Sequence, residues 1–333
     1  MVQGVAMSTV VSYEDRIRGA LLGMFIGDAL SMPAHWYYNT GALVRDYGRI
    51  STYAAPKNPH PDSILWRSSY TPINDKGDIL HSQARYWGKK GIHYHQFLQA
   101  GENTLNLKLA RELLLFLEEY QAYSAEQWLE HMISYLTVPG NHSDTYVEEF
   151  LRYFFHEYAK GKEPVHCGRM DENHIGGYSL MLPLLFVFGE SPAYARKLSL
   201  DHLALTHGGN KMNEWGDVIA QLILAILHGE SLRSAIDRVE DGNLAIEGLK
   251  TLVSLRDVPA SVVVGKHFSS ACYVDSAVPA TLYLALKYHD KPAEALIANT
   301  MCGGDNCGRG VLLGALLGAV HGTVWPRKWS EGL

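Results

Sequence analysis

The chain has 333 residues, of which 47% are hydrophobic, and its formal net charge at pH 7 is −6. A chain of this length and composition can bury a large core, and we favour one large domain over two. Its acidic balance provides no basic field for a phosphate backbone, which excludes a nucleic-acid scaffold and leaves small molecules or protein side chains as the expected partners.

The sequence predicts a reduced, cytoplasmic protein that does not cross a membrane. Its cysteines, Cys167, Cys272, Cys302 and Cys307, are scattered and form no CxxC pair. Residues 1–11 lack the basic segment of a signal peptide, so we predict a disordered arm there and one domain over 12–333. The most apolar stretch, 310–325, is shorter than the roughly 20 residues of a spanning helix and contains His321, which favours a buried helix.

Apolar residues recur mostly at helical spacing and period-two alternation is almost absent, so the sequence predicts an all-α fold. Ser12 and Asp15 resemble a capping box that opens a helix ending near Ser31. The other predicted helices cover 78–88, 93–99, 104–120, 125–136, 144–160, 176–188, 192–204, 212–228, 231–238, 243–253, 275–287, 291–299 and 308–322. Between them, the proline-containing segment 48–73 is predicted to be a surface loop of the kind that often borders a binding site.

Glycines recur every four residues in the first and last predicted helices. They are Gly19, Gly23 and Gly27 in the first, and Gly310, Gly314, Gly318 and Gly322 in the last. Each glycine inside a helix costs about 1 kcal/mol relative to alanine, so the pattern needs a compensating interaction. Because this spacing places them on one stripe, we expect close packing of both helices against neighbours or against each other.

Polar residues border both glycine stripes. Asp28 follows the first stripe, and the sequence Gly303-Gly304-Asp305-Asn306-Cys307 precedes the second. A Gly-Gly-Asp turn at the start of a helix offers free backbone N–H groups together with a carboxylate. These groups suit a phosphate, a ribose or a cation.

Two further polar clusters are candidates for chemistry. Asn103 and Asn106 belong to a polar cluster, 102–106, at the start of a long helix. This cluster either binds a ligand or only caps the helix through Thr104 or Asn103. His142 and Asp144 form the second cluster, which is either an acid–base pair at a pocket rim or another helix cap. Both alternatives remain open for each cluster.

The two ends of the chain together resemble the ADP-ribosylglycohydrolase family. The opening stretch reads RGALLGMFIGDALSMP (18–33), and the closing stretch reads GGDNCGRGVLLGALLGAVHG (303–322). Further agreement comes from the Thr206-His207 pair, from the segment 275–280, and from the segment 176–183, which resembles the family's ligand loop. This resemblance implies an all-α fold and hydrolysis of a glycosidic bond of ADP-ribose with two magnesium ions. It also implies that His174, Gly176 and Gly177 contact ribose or phosphate.

The acidic motifs that hold magnesium in this family differ here. The closing motif keeps Asp305 but has Cys307 where a second carboxylate is expected, and the other motif matches Asp75-Lys76-Gly77-Asp78. The resemblance therefore implies Asp75, Asp78 and Asp305 as metal ligands, but a lysine ammonium among them would repel the ion. We expect Lys76 to pair with Asp305 and to replace the charge of the metal, so a bound magnesium is doubtful.

The altered motifs lead to two alternative functions. The first is a hydrolase of an N- or O-glycosidic bond of ADP-ribose or a related ribosyl compound, with acid–base work by His35 or His142. Asp28 would then hold Lys76 or a metal ligand in place. The second is a relative without catalysis that binds a nucleotide or sugar, or that serves as a structural protein.

Overall fold

The computed structural model describes residues 11–242, 252 and 254–333. Apart from Val11 and Leu252, the predicted N-terminal arm and the predicted helix 243–253 lie outside the described residues. Thirteen α-helices of four residues or more are described. They are α1 (Tyr13–Ser31), α2 (Thr40–Tyr47), α3 (Leu105–Tyr120), α4 (Ala125–Thr137), α5 (Glu149–Ala159), α6 (Tyr178–Val187), α7 (Pro192–Ala204), α8 (Asn210–Leu227), α9 (Leu232–Gly242), α10 (Val274–Lys287), α11 (Pro292–Met301), α12 (Asn306–His321) and α13 (Arg327–Ser330).

The all-α prediction is confirmed. Outside the helices, the described backbone pairs only in isolated bridges, such as the one that joins His174 to Tyr273. Short 3₁₀ turns occupy several connections, including Met32–Ala34, Asp75–Gly77 and Ile175–Gly177. Among the described residues, no helix combines the length and the apolarity needed to cross a membrane.

Some predicted helices differ from those observed. The segment 93–99 forms turns instead of a helix, because the ring of His93 accepts the backbone N–H of His95 at 3.0 Å. Predicted helix 78–88 contains only the 3₁₀ turn His81–Tyr86, and predicted helix 144–160 begins at Glu149. The helices α2 and α13 were not predicted from the sequence.

Helices α1 and α12 pack against each other along their glycine stripes. Gly27 faces Gly310, Gly23 faces Gly314, and Gly19 faces both Gly318 and Gly322. At each of these positions except Gly322, an added Cβ would overlap a backbone carbonyl oxygen of the facing glycine, and at Gly322 it would overlap the Asp15 carboxylate. Contact of backbone with backbone therefore requires glycine here, which confirms that the two stripes mediate close packing. The antiparallel pair brings the end of α1 next to the start of α12.

The described core consists of two large apolar clusters. The larger contains residues of α1, α6, α8, α10 and α12, and the smaller is built mainly from α3, α4 and α5. Leu107 and Ile175 belong to the larger cluster, whereas Leu105 and Val147 belong to the smaller one. The segments next to these four residues carry polar side chains, so a polar site lies where the two clusters meet.

Candidate active site

A small polar cavity lies at the junction of the α1 and α12 ends with α3, α5 and the turn Ile175–Gly177. Its free volume is about 10 Å³, enough for about one water molecule. The polar side chains in its wall are Asp28, His35, Thr104, Asn106, Glu148, Ser179, Asp305 and Cys307. Of the residues predicted from the sequence, the structure thus brings together Asp28, His35, Asn106, Gly176, Asp305 and Cys307.

The Gly303-Gly304 turn places Asp305 at the cavity. Both glycines have left-handed backbone angles, with φ values of 64° and 61°. The Gly304 N–H donates to the Tyr37 carbonyl at 2.7 Å, and its carbonyl accepts from the Trp36 N–H at 2.8 Å. Since the Gly303 N–H also points at a carbonyl, that of Thr300, the expectation of free N–H groups at these two glycines is wrong. The turn holds the site in position through its backbone.

Asp305 caps the start of α12 and is almost fully buried. Its Oδ1 accepts the Gly308 N–H at 3.0 Å and lies 3.2 Å from Nε2 of His35. Burial raises the pKa of this carboxyl, but the hydrogen bonds from His35 and Gly308 outweigh burial and lower it overall. Asp305 is therefore an ionised carboxylate. Nearby, the buried Arg309 guanidinium holds the turn by donating to Asn299 and to the carbonyl of Ser270.

A chain of hydrogen bonds runs from Asp305 into the interior. Nδ1 of His35 lies 2.8 Å from Nε2 of His95, and Nδ1 of His95 lies 2.5 Å from Oδ1 of Asp144. All four residues are buried. His60 and His93 support this chain by contacting the backbone carbonyls of His35 and Pro33. Asp144 therefore contacts the site only through His95, and it does not lie at a pocket rim as the sequence predicted.

The number of protons in this chain follows from its three hydrogen bonds. Each bond needs one hydrogen, whereas two carboxylates and two neutral imidazoles supply only two. One additional proton is therefore bound, and the four groups together carry a charge of −1 instead of −2. Burial lowers the pKa of His95, and the net effect of burial and hydrogen bonding lowers the pKa of Asp144. The additional proton is held within the chain of hydrogen bonds that joins Asp305 to Asp144.

Asp28 and Asn103 join α1 to α3. One oxygen of Asp28 accepts from Asn103 Nδ2 at 2.9 Å and from the Thr104 N–H at 2.8 Å, and the other accepts from the Thr104 hydroxyl at 2.8 Å. This carboxylate thus caps α3 from a neighbouring helix. Both side chains are held by the fold, and their predicted role in ligand binding remains untested.

Glu148 was not predicted as a site residue, although it is the acidic group most suited to proton transfer. It lies just before α5 and accepts a hydrogen bond of 2.6 Å from Asn106. Burial, followed by the charge of Asp305, raises its pKa to about 7. An added Cβ at Gly176 would lie 2.9 Å from the Asn106 amide and 3.2 Å from the Glu148 carboxylate, so this pair requires the glycine. The available signal was the Glu148-Glu149 doublet inside the predicted helix 144–160, a few residues after His142 and Asp144.

An aromatic pocket of about 170 Å³ opens beside Glu148. Trp36 forms its centre, stacking on His35 at 3.8 Å and contacting Tyr94 and Tyr146 edge-to-face. The other residues that line it include Tyr38, Ile64, Glu148, Glu149, His174 and Cys272. Aromatic faces of this kind pack against sugars and bases. Glu148 lines both the pocket and the polar cavity, so it connects them.

His174 stands at the pocket wall, as expected for a ligand-binding residue. Its Nδ1 lies 2.6 Å from Glu172, a carboxylate whose side chain is fully buried. Gly177 follows in the same loop, and an added Cβ there would lie 2.7 Å from the ring of His207. The loop is therefore fixed on both sides.

Asn306, at the start of α12, is also buried. Its side-chain amide donates to the Thr300 carbonyl at 3.1 Å.

Four predicted residues lie away from the cavity. Asp75 and Lys76 are exposed on the turn Asp75–Gly77, and Asp78 caps the next turn by accepting the His81 N–H at 2.9 Å. The expected Lys76–Asp305 ion pair does not form, because Asp305 is buried against His35. His142 does not pair with Asp144 either, since its Nε2 lies 2.7 Å from the Ile79 carbonyl.

The donor set does not fit a pair of magnesium ions. Magnesium demands octahedral oxygen coordination, usually from carboxylates and water. Here the Asp28 oxygens accept three hydrogen bonds, Asp305 binds His35, and Cys307 is a soft donor with a pKa raised by burial. Nowhere in the described chain do three His, Cys, Asp or Glu side chains form a group suited to one ion.

Comparison with known proteins identifies the scaffold. The ADP-ribosylglycohydrolase family matches residues 9–333 of the chain. A solved structure described as an ADP-ribosylglycohydrolase-related protein complex is similar, with a TM-score of 0.61 and 18% identity over 97% of this chain and 93% of that chain. No curated protein matches. The family supports a glycohydrolase-type function, and the chain belongs to the ADP-ribosylglycohydrolase family.

Proposed function

We propose that this protein hydrolyses an N- or O-glycosidic bond of ADP-ribose or a related ribosyl compound, with Glu148 as the proton donor. The observation that carries this proposal is the contrast between two neighbouring carboxyl groups. Glu148 has a pKa of about 7, whereas the pKa of Asp305 is lowered. Such divergent environments are typical of the acid and the charge-stabilising carboxylate of a glycosidase.

The positions of these groups favour binding of the substrate in the aromatic pocket. The polar cavity holds about one water, whereas the pocket, at about 170 Å³, has room for a ribosyl group beside Trp36. This volume is below the roughly 300 Å³ of ordinary ligand sites, so the rest of a nucleotide would extend over the open rim. Glu148 would protonate the leaving group, and Asp305 would stabilise the positive charge that develops on the sugar.

Metal-independent turnover distinguishes this proposal from the magnesium chemistry implied by the family. The protein is incubated with ADP-ribosylated arginine and ADP-ribosylated serine peptides, in EDTA and in magnesium, and released ADP-ribose is measured. We expect release in both buffers and a loss of about 10²- to 10⁴-fold in Glu148→Gln. Glu163→Gln is the matched control because the Glu163 side chain is 80% exposed and lines neither the aromatic pocket nor the polar cavity. No release in either buffer contradicts the proposal.

A second candidate function is binding without catalysis. It is favoured by one observation, that Asp28 and Asp305 already bind protein groups and so resemble a fixed scaffold. Thermal-shift titration with ADP-ribose and with ribose separates this candidate from a purely structural protein. Saturable stabilisation without release of product would support binding alone.

A further inference from the structure

Arg152, in α5, is a partly buried guanidinium that lines an open pocket of about 280 Å³. Its Nε atom is buried and has no hydrogen-bond partner in the described chain, and no other lysine or arginine there has such an atom. The guanidinium lies over the rings of Trp87 and Tyr146, with its central carbon 5.2 and 5.8 Å from their centroids. Stacking on aromatic rings holds an arginine in place but satisfies none of its N–H donors.

The acidic side chains at the start of α5 bind other groups. Glu148 accepts a hydrogen bond of 2.6 Å from Asn106, and Glu149 pairs with Arg169 at 2.6 Å. A cation that is partly removed from water is stabilised by a counter-charge. Because these two carboxylates already have partners, an anionic ligand is the group that best complements Arg152.

The other polar side chains of this pocket suit a phosphate. We call it the arginine pocket, and its polar lining includes Ser69, Thr71, Glu149, Arg152, Tyr153 and His156. Hydroxyl groups donate to phosphate oxygens, and a planar guanidinium binds two such oxygens at once. Glu149 is the only carboxylate of this lining, and its ion pair with Arg169 reduces its repulsion of an anion. The lining therefore favours a ligand with several anionic oxygens, such as a phosphate or a diphosphate.

The arginine pocket adjoins the aromatic pocket. Glu149 lines both pockets, and the Tyr146 ring under Arg152 also lines the aromatic pocket. The backbone N–H of Arg152 donates to the Glu148 carbonyl at 3.2 Å, so the proton donor and the guanidinium are one helical turn apart. A ribosyl group beside Trp36 thus has the arginine pocket next to it, at the open rim over which the rest of the substrate extends.

We propose that the arginine pocket binds the phosphate groups of the substrate, and that Arg152 is a specificity-determining residue that selects phosphorylated ribosyl compounds. This inference rests on the proposed function, because it assigns a further part of the same substrate. The phosphates do not change during hydrolysis of the glycosidic bond. Arg152 therefore contributes to binding of the substrate and not to the chemical step.

Inorganic pyrophosphate tests the site without turnover. Thermal unfolding of the full chain in EDTA is followed during titration with pyrophosphate, and potassium chloride of equal ionic strength is the salt control. We expect saturable stabilisation of the wild type. In Arg152→Met, which keeps an unbranched side chain on the rings, the Kd should be at least about tenfold higher. An equal Kd in both proteins, or no saturable stabilisation of the wild type, overturns the proposal.

Arg67→Met is the matched control. Arg67 also lies over a tryptophan ring, that of Trp66 at 4.5 Å, but it lines neither the arginine pocket nor the aromatic pocket. This variant should bind pyrophosphate like the wild type. A loss of binding equal to that in Arg152→Met would show a general effect of charge and overturn the assignment of Arg152.

Arg152→Lys keeps a positive charge over the rings, so it tests the site even if the methionine variant does not fold. An ammonium group cannot bind two phosphate oxygens in one plane, and the Kd for pyrophosphate should rise at least about threefold. Thermal unfolding without ligand verifies the fold of each variant. Wild-type affinity in Arg152→Lys overturns the role given to the guanidinium.

Kinetics with an ADP-ribosylated arginine peptide test whether the bound phosphate belongs to the substrate. We expect competitive inhibition by pyrophosphate, and in Arg152→Met a KM at least about tenfold higher with little change in kcat. Non-competitive inhibition, or a loss of kcat at constant KM, overturns the assignment to the substrate while the hydrolase function stands. Absence of turnover in the wild type overturns the proposed function, and the pyrophosphate titration then decides alone whether Arg152 forms an anion site.

Discussion

The rings of His35 and His95 are joined by a direct hydrogen bond, with 2.8 Å between Nδ1 of His35 and Nε2 of His95. Because both outer nitrogens face carboxylates, this contact requires a proton beyond those of two neutral rings. The additional proton is held between Asp305 and Asp144. The positive charge that we expected from Lys76 therefore comes from inside the fold.

We predict that Asp144→Ala strongly destabilises the protein. Asp144 is fully buried and is the acceptor for His95, so its removal leaves a buried N–H without a partner and changes the charge of the chain of hydrogen bonds. A loss of about 3–5 kcal/mol in the free energy of unfolding is expected, measured by urea denaturation at pH 7.

Asp290→Ala is the matched control for that variant. Asp290 also contacts a histidine, His289, at 2.9 Å, but its side chain is 92% exposed. An exposed pair contributes about 0–1 kcal/mol, so little change is expected. Equal effects of the two substitutions would contradict the role given to the buried chain.

We predict that Gly23→Ala disrupts the contact between α1 and α12. The new Cβ would overlap the carbonyl of Gly314, and backbone atoms cannot move aside as a flexible side chain can. The expected result is a destabilisation of at least about 3 kcal/mol in urea denaturation, which is larger than ordinary overpacking. Gly41→Ala in α2 is the control. That glycine is exposed and helical, and an added Cβ there would meet only the Asn39 side chain, at 3.2 Å, so a change within about 1 kcal/mol is expected.

The glycine contact shows what the sequence alone can establish. A spacing of four places glycines on one stripe of a helix, so close packing is predictable from local geometry. The pairing of Gly27 with Gly310 cannot be predicted in this way, because it depends on how α1 and α12 approach each other in the folded chain. The motif residues Asp28 and Asp305 were identified for the same reason, since they directly border the stripes.

The partners of the site residues could not be read from sequence proximity. His142 is the histidine nearest to Asp144 along the chain. Asp144 nevertheless accepts its hydrogen bond from His95, which is 49 residues away. Lys76 was matched to the family by the helix predicted to follow its motif, whereas its turn lies on the surface. Glu148 carries no motif, and its pKa depends on burial that only the folded chain provides.

We predict that Glu148→Gln becomes progressively more stabilising, relative to the wild type, as the pH rises. The pKa of Glu148 is about 7 in the folded protein, against an ordinary value of 4.5. Between these values the unfolded chain releases the proton while the folded chain keeps it, so wild-type stability falls from about pH 4.5 to 7 and then levels off. The difference between the two proteins should change by up to about 3 kcal/mol.

Thermal unfolding of both proteins at pH 5 and pH 8, on either side of the transition at about 7, measures this effect. Glu149→Gln is the control, because it makes the same chemical change at a side chain that is 55% exposed. Its effect on stability should not grow with pH in this way. A constant difference between Glu148→Gln and the wild type would show that Glu148 has an ordinary pKa.

If Glu148 is the proton donor, activity should decline on the alkaline side. The protonated fraction of a group with a pKa of about 7 falls tenfold for each unit of pH well above that value. We therefore expect kcat/KM for an ADP-ribosylated peptide to be constant below about pH 6 and to fall with this slope above about pH 8. The residual activity of Glu148→Gln should lack this decline. A wild-type rate that is constant across the range would assign the proton donor elsewhere.

We predict that magnesium neither stabilises nor activates the protein. A magnesium site at one hundred times its Kd would raise the free energy of unfolding by about 2.7 kcal/mol, which thermal unfolding detects easily. The site instead combines a hydrogen-bonded Asp305 with Cys307, and it lacks the acidic turn of Asp75 and Asp78. After EDTA treatment, thermal unfolding is measured during titration with magnesium chloride. Potassium chloride of equal ionic strength is the control. Saturable stabilisation by magnesium alone would mean that Asp305 exchanges His35 for the ion, and Asp305→Asn should then abolish it.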